Sequence, residues 1–170
     1  MDGGNGSNRS RWLFAVGGPV VIGAIVGLPG AAEGILHGMT VIPLVLFGVA
    51  LSTLPALYIG CSMAGVAPPA RDVAGAALRG GRNAGVAFLG LALPLAFLIG
   101  SSHSGFVAPV LGMVVLGAGG FAALRAIWAD LFAGNPSRRA RWDAAVVFCA
   151  WAAIATAIGA RLFYENLRGS

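Results

Sequence analysis

Residues 107–128 decide the fold, and they read VAPVLGMVVLGAGGFAALRAIW. Arg125 is the single charged side chain among them. A helix needs roughly 20 apolar residues to cross the hydrocarbon core of a bilayer. Because no water is available there, each backbone amide must be satisfied inside its own segment. The stretch therefore predicts a transmembrane α-helix.

Similar apolar stretches lie on both sides of this one. We predict an all-α bundle of about five transmembrane spans, in a single domain that covers residues 1–170. The predicted spans are residues 12–28, 40–60, 84–100, 107–128 and 144–163, and the predicted cytoplasmic loops are residues 64–83 and 129–143.

The composition supports this class of protein. Hydrophobic residues make up 58% of the chain and charged residues 10%, whereas a soluble domain carries about 25% charged residues. This balance excludes a soluble enzyme domain and a disordered tail. The net charge of +5 does not indicate a nucleic-acid partner, because the basic residues form short clusters beside apolar segments.

The arginines predict the orientation in the membrane. The chain has no lysine, and its 11 basic residues are all arginine. An N-in/C-out arrangement places nine arginines on the inner side, which then has a net charge of +5, and leaves the outer side neutral. This is the positive-inside pattern. It predicts an integral protein of a bacterial-type inner (plasma) membrane.

Six arginines in the predicted cytoplasmic loops are candidates for contact with anionic lipid headgroups. Pro68 and Pro69, followed by Asp72, predict a short helix at the membrane surface in the first of these loops. The candidates are Arg71, Arg79, Arg82, Arg138, Arg139 and Arg141.

Small residues inside the spans are candidates for close helix packing. Lipid supplies no hydrophobic drive between helices, so contact between backbones matters. Such contacts serve either the chain's own bundle or a docking face for another subunit or a second copy, and the sequence leaves both open. The candidates are Gly23, Gly27, Ser52, Ala56, Gly60, Gly117 and Gly120.

Prolines inside two spans are candidates for helix kinks. Pro55 and Pro94 cannot donate to the carbonyl four residues earlier. Ser52 or Thr53 is available to cover a freed carbonyl group. The residues that could form a hinge or line a pore are Pro55, Tyr58 and Pro94.

Arg125 is a fourth candidate for a hinge or pore. It lies near the inner end of its predicted span. From there its long side chain can reach the membrane interface or pair with Asp130. A role in gating or in substrate contact is the alternative, because charged groups inside a bilayer are costly and usually functional.

Three motifs, taken in order, resemble a known family. LPALY occupies residues 54–58, LALPLAF residues 91–97 and LRAIW residues 124–128. The arrangement is similar to small uncharacterised bacterial multi-pass proteins distantly related to the Yip family, over residues 40–130. The resemblance implies five spans and a non-enzymatic helix bundle with protein partners. It supplies no catalytic residue.

Few side chains point to reaction chemistry. Glu33 and His37 are four residues apart and would share a helix face, and His103 lies in the other predicted outer turn. These three are a minor hypothesis for a metal or haem site. Cys61 and Cys149 form no CxxC pair. We predict no cofactor.

Together these features favour a non-catalytic membrane protein. We expect an accessory or assembly subunit, or a scaffold, that contacts the lipid bilayer and either another membrane subunit or its own copies. The first alternative is an oligomeric channel or transporter for a small solute. The second is a redox or metal-site membrane subunit.

The arginine distribution makes a prediction about topology. In a bacterial host, alkaline phosphatase fused to the C-terminus should be active and green fluorescent protein fused there should be dark, because that end is expected outside the inner membrane. The same reporters fused after residue 135 should give the opposite pattern. A reversed result at both positions would contradict the N-in/C-out orientation.

Overall fold

The computed structural model describes residues 3–102, 106–132 and 138–168. Within these ranges the regular structure consists of helices alone, so the prediction of an all-α bundle is confirmed. The helices are α1 (Gly3–Val26), α2 (Ala31–Met63), α3 (Ala70–Ser101), α4 (Val107–Phe132) and α5 (Arg138–Arg168), with a 3₁₀ turn at Leu28–Gly30 between α1 and α2.

Four of the described helices, α2 to α5, are long and apolar enough to cross a membrane. The shortest of them, α4, has 26 residues and is about 39 Å long, more than the roughly 30 Å of a hydrocarbon core. The apolar part of α1 is shorter and covers Leu13–Val26. The span at the N-terminus therefore stays a prediction, whereas length and composition support the other four.

α3 begins earlier than expected. The sequence predicted a loop at residues 64–83 containing a short separate helix, but Ala70 opens a continuous helix of 32 residues directly after Pro69. Ala76 is fully buried, so the first turns of α3 pack into the bundle instead of lying on its surface. The loop predicted at residues 129–143 is also shorter, because α4 ends later and α5 begins earlier than expected.

Glycine pairs bring the backbones of α1 and α2 together. A Cβ atom added at Gly23 would overlap the carbonyl oxygen of Gly38, and one added at Gly27 would overlap that of Gly34. Because the later glycine of α1 meets the earlier glycine of α2, the two helices are antiparallel. Gly23 and Gly27 thus face the chain's own α2.

α3 lies between α1 and α4 and packs most extensively against these two helices. Towards α1, a Cβ atom added at Gly18 would lie 2.6 Å from the Cα atom of Gly85, so the two backbones touch. Towards α4, the buried ring of Phe88 occupies the space that a side chain at Gly119 would need. Glycine therefore sets how closely α3 approaches both neighbours.

α5 completes the bundle against α2. A Cβ atom added at Gly60 of α2 would lie 2.8 Å from the side chain of Val147, and the side chain of Val49 lies 4.0 Å from the corresponding position at Gly159. These two pairs make α2 and α5 antiparallel. α5 contacts α4 less extensively than it contacts α2.

Buried side chains form two clusters near opposite ends of the bundle. The first combines the C-terminal halves of α1, α3 and α5 with the N-terminal halves of α2 and α4, and includes Ile22, Phe88 and Leu95. The second includes Leu57 and Phe132, and joins the ends of α2 and α4 to the starts of α3 and α5. The starts of α3 and α5 therefore lie at the same end of the molecule as the end of α4.

The glycine contacts predict opposite effects for two alanine substitutions. Gly23→Ala should destabilise the bundle by about 1–3 kcal/mol, because the added methyl group overlaps the carbonyl of Gly38. Gly90→Ala is the matched control, since nothing lies within 4 Å of its added Cβ atom and alanine favours a helix over glycine by about 0.5–1 kcal/mol. Unfolding in SDS, followed by circular dichroism, measures both. Equal stability of the two variants would contradict the backbone contact.

Candidate functional site

The structure divides the predicted packing residues into two groups. Gly23, Gly27 and Gly60 face other helices of the same chain. Ser52 and Ala56 are exposed on the surface of α2. A spacing of four residues is longer than one helical turn, which has 3.6 residues. A stripe of small residues with this spacing therefore winds gradually around the helix. The stripe from Ser52 to Gly60 therefore begins on the outside and ends against α5.

Gly117 and Gly120 make no close contact within the described part of the chain, because a Cβ atom added at either would meet nothing within 4 Å. The glycines of α4 that pack are Gly112, where the Cβ position lies 3.1 Å from the side chain of Val26, and Gly119. Of the two uses that the sequence left open for Gly117 and Gly120, close packing inside the chain's own bundle is therefore not found among the described residues. Their part in an interface with another protein stays a prediction.

Small residues form an outward strip along the middle of α2. We call Gly48, Ser52 and Ala56 the α2 outer face. All three are exposed, and a Cβ atom added at Gly48 would meet nothing within 4 Å. Larger apolar side chains stand beside them, and Leu51 is 79% exposed. A strip of this shape allows the backbone of another helix to approach closely.

The hinge or pore candidates lie on the outside of the bundle. Pro55, Pro94 and Arg125 are exposed, and Tyr58 is 39% exposed. None of the four belongs to the two buried clusters. Within one chain, therefore, the described structure does not bring these residues together around a common interior path.

The hydroxyl groups next to Pro55 bond to a different carbonyl from the one expected. Ser52 and Thr53 both donate to the carbonyl oxygen of Val49, at 3.1 Å and 2.7 Å. The expectation that they cover the carbonyl of Leu51, which Pro55 frees, is wrong. A helical serine or threonine reaches the carbonyl three or four residues earlier, and Leu51 is too near in sequence.

A hydrogen bond joins α5 to α2 beside the second buried cluster. The indole Nε1–H of Trp151 donates to the carbonyl oxygen of Thr53 over 2.7 Å. Thr53 is 7% exposed and is the one buried polar residue among those described. An unpaired N–H group in lipid costs several kcal/mol, so this bond favours a single register of α5 on α2.

Sequence reasoning assigned no role to Trp151. The available signal was a tryptophan deep within an apolar segment, because its indole N–H group usually finds an acceptor when it is buried. The sequence does not show which carbonyl accepts. That acceptor lies 98 residues earlier, on another helix.

Aromatic rings continue this contact towards one end of the bundle. The ring centroids of Trp151 and Phe148 lie 5.5 Å apart, and those of Phe148 and Trp128 lie 5.4 Å apart. Trp128 in turn packs on Phe132 at 4.9 Å. These distances fall in the range of favourable aromatic pairs. The rings therefore tie α5 to α4 as well as to α2.

Asp130 pairs with α3 rather than with its own helix. The Nε–H group of Arg79 donates to Oδ2 of Asp130 over 2.5 Å. The alternative in which Arg125 pairs with Asp130 is not found, because residues five apart on a helix point in directions about 140° apart. The two side chains are 49% and 30% exposed, so this ion pair contributes at most about 1 kcal/mol to stability.

The arginines predicted to contact lipid lie on helices instead of loops. Three are on α3 and three are on α5, and each one whose side chain is described is exposed. The side chain of Arg138 lies outside the described part. The six residues are Arg71, Arg79, Arg82, Arg138, Arg139 and Arg141.

The metal hypothesis gains no support from the described residues. Glu33 and His37 are exposed in the first two turns of α2, and His103 lies outside the described ranges. Among the residues that the structure describes, no three His, Cys, Asp or Glu side chains are arranged to hold a metal ion. Cys61 is a buried free thiol and Cys149 an exposed one.

No protein-family model, curated protein or solved structure matches this chain. The candidate site therefore rests on the chain's own geometry. That geometry presents two surfaces open to contact, the α2 outer face and the exposed arginines at one end. The Thr53 hydroxyl is already bonded to the carbonyl of Val49 within α2, and the indole of Trp151 is bonded to the carbonyl of Thr53.

The indole bond predicts the effect of a conservative substitution. Trp151→Phe should destabilise the bundle by about 0.6–1.7 kcal/mol, because it removes a hydrogen bond between membrane helices. Trp142→Phe is the matched control, since Trp142 is 64% exposed and its loss should change stability by less than about 0.5 kcal/mol. Thermal unfolding in detergent measures both. A loss in the control as large as in Trp151→Phe would refute the assignment.

Proposed function

We propose that this chain is a non-catalytic multi-pass membrane protein that acts as an accessory or assembly subunit, or as a scaffold, of a membrane complex. The observation that carries the proposal is the α2 outer face, which the chain's own packing leaves uncovered. Its partner is a transmembrane helix of another subunit or of a second copy. The arginine pattern favours a bacterial-type inner membrane as the location.

The chain's own packing supports this use of small residues. Gly23 and Gly27, spaced by four residues, allow α1 to touch the backbone of α2. Gly48 and Ser52 have the same spacing and lie on a helix long enough to cross the membrane. In lipid, an interface of this kind is driven by close van der Waals contact. A partner helix would meet the α2 outer face in the same way.

The hydrogen bonds of polar side chains on α2 and α5 also favour a structural role. Ser52 and Thr53 donate to a carbonyl of their own helix, and Trp151 donates to a carbonyl of α2. These groups bond within α2 or join α5 to α2. The resemblance to Yip-related proteins likewise implies a protein partner and no reaction.

An oligomeric channel or transporter is the alternative. Pro55, Tyr58 and Pro94 are exposed on the outside of the chain, so they would line a path only between copies. Solute flux into liposomes that contain the purified protein tests this alternative. Flux above that of empty vesicles would favour a channel over a subunit.

Mass spectrometry of the intact assembly tests the proposal directly. The tagged full-length protein is purified in a gentle detergent and its mass is measured without dissociation. We expect either a complex with a defined second subunit or a homo-oligomer that acts as a scaffold. A monomer at every detergent and protein concentration would contradict the proposal.

Substitution on the α2 outer face tests which surface is used. The double variant Ser52→Leu, Ala56→Leu should reduce the assembled fraction about tenfold, since overpacking of this kind costs about 1–3 kcal/mol. Gly90→Leu is the control, because it adds a side chain to the exposed surface of α3, where nothing lies within 4 Å of the added Cβ atom. Equal loss of assembly in the control, or no loss in the double variant, would show that the α2 outer face is not the interface.

A further inference from the structure

We propose that the end of the bundle that carries exposed arginines binds the phosphate headgroups of anionic phospholipids in the surrounding bilayer. We call this surface the basic end. This inference goes beyond the partner subunit proposed above and does not depend on it. The basic end is formed by Arg71, Arg79, Arg82, Arg125, Arg139 and Arg141.

Packing brings arginines from three helices to this one end. The ion pair between Arg79 and Asp130 places the first turns of α3 beside the last turns of α4. The contact between Phe148 and Trp128, with ring centroids 5.4 Å apart, places the first turns of α5 beside the same part of α4. The basic end is therefore formed by helices that pack on one another.

Most of the arginines at the basic end make no ion pair with a described acidic side chain. Arg79 is paired with Asp130, and the Arg71 guanidinium lies 3.6 Å from Asp72 but is 87% exposed. Asp143 is a further exposed acidic residue at this end. Among the described side chains, four arginines have no acidic partner within 4.0 Å, and these are Arg82, Arg125, Arg139 and Arg141.

Exposed apolar side chains lie within about one helical turn of these unpaired arginines. Val86, four residues after Arg82, is 50% exposed, and Phe121, four residues before Arg125, is 68% exposed. Trp142 lies beside the arginines of α5 and is 64% exposed. Apolar groups that face lipid next to charged groups place those charges at the depth of the headgroups, where tryptophan also concentrates.

The chemistry of arginine suits a lipid phosphate. A guanidinium group donates two parallel N–H···O bonds to a phosphate, which an ammonium group cannot do, and the chain uses arginine alone. Each basic residue near an anionic bilayer surface strengthens association about fivefold. A nucleic acid would need arginines on a surface away from the bilayer, so their position beside exposed apolar groups favours lipid.

An exposed arginine at the opposite end of the bundle serves as a control for lipid binding. Arg161 lies near the end of α5 and donates from Nε to Oε1 of Glu165 over 2.8 Å. Arg161 is also exposed, but its charge is already paired. Loss of Arg161 should therefore leave the binding of anionic lipid unchanged.

Native mass spectrometry tests the proposal. The full-length protein is equilibrated with equal amounts of phosphatidylglycerol and phosphatidylcholine in mixed micelles, and the retained lipids are counted. We expect the wild type to retain phosphatidylglycerol preferentially. A variant with Arg82, Arg125, Arg139 and Arg141 all changed to Gln should lose that preference by about tenfold or more. Arg161→Gln should keep it.

Further measurements distinguish loss of the lipid site from loss of folding and from binding of free phosphate. Circular dichroism in phosphatidylcholine alone verifies that each variant folds. If the quadruple variant does not fold, the pairs Arg82→Gln, Arg125→Gln and Arg139→Gln, Arg141→Gln replace it, and each should lose part of the preference. Phosphatidylglycerol that stays bound in excess inorganic phosphate supports a lipid site.

Three results would overturn the proposal. The first is equal retention of the two lipids by the wild type. The second is an unchanged preference in the folded arginine variants. The third is displacement of phosphatidylglycerol by free phosphate or by a single-stranded oligonucleotide, which would make a soluble anion or a nucleic acid the ligand.

Discussion

Contact between glycine backbones is the constraint on which the rest of this bundle depends. A bilayer offers no hydrophobic gain when two apolar helices associate, so helices hold together where their backbones come close. Gly23 meets Gly38 of α2, and Gly18 meets Gly85 of α3. α1 is thereby fixed to two helices at once, although its apolar part is shorter than that of any other helix in the described chain.

The same constraint explains why the helices of the bundle make two different kinds of contact. α1 approaches α2 and α3 through backbone contacts, whereas α5 joins α2 through side chains. Val147 covers Gly60, Trp151 reaches the carbonyl of Thr53, and aromatic rings extend the contact to α4. Because α5 covers only one end of the small-residue stripe on α2, the middle of α2 remains open. The α2 outer face is thus a consequence of where α5 packs.

Sequence patterns predicted the residue types of the candidate surfaces but not the direction in which they point. Gly27 and Gly117 are both glycines in apolar segments, yet the first touches another backbone and the second meets open space. Asp130 had an arginine nearby in sequence, but it pairs with one 51 residues earlier. A helix hides or exposes a residue according to how it rotates on its neighbours. That rotation depends on contacts that no local pattern contains.

The sequence by itself determined that this protein is an all-α bundle of apolar helices with arginines concentrated between particular segments. Length, hydropathy and charge are local properties, and a bilayer converts them directly into helices because each segment must satisfy its own backbone. Only the tertiary structure decided that residues 70–83 extend α3, that α3 lies between α1 and α4, and which small residues stay uncovered. These features depend on pairs of residues far apart in the chain, such as Thr53 and Trp151, whose meeting is a property of the packed bundle.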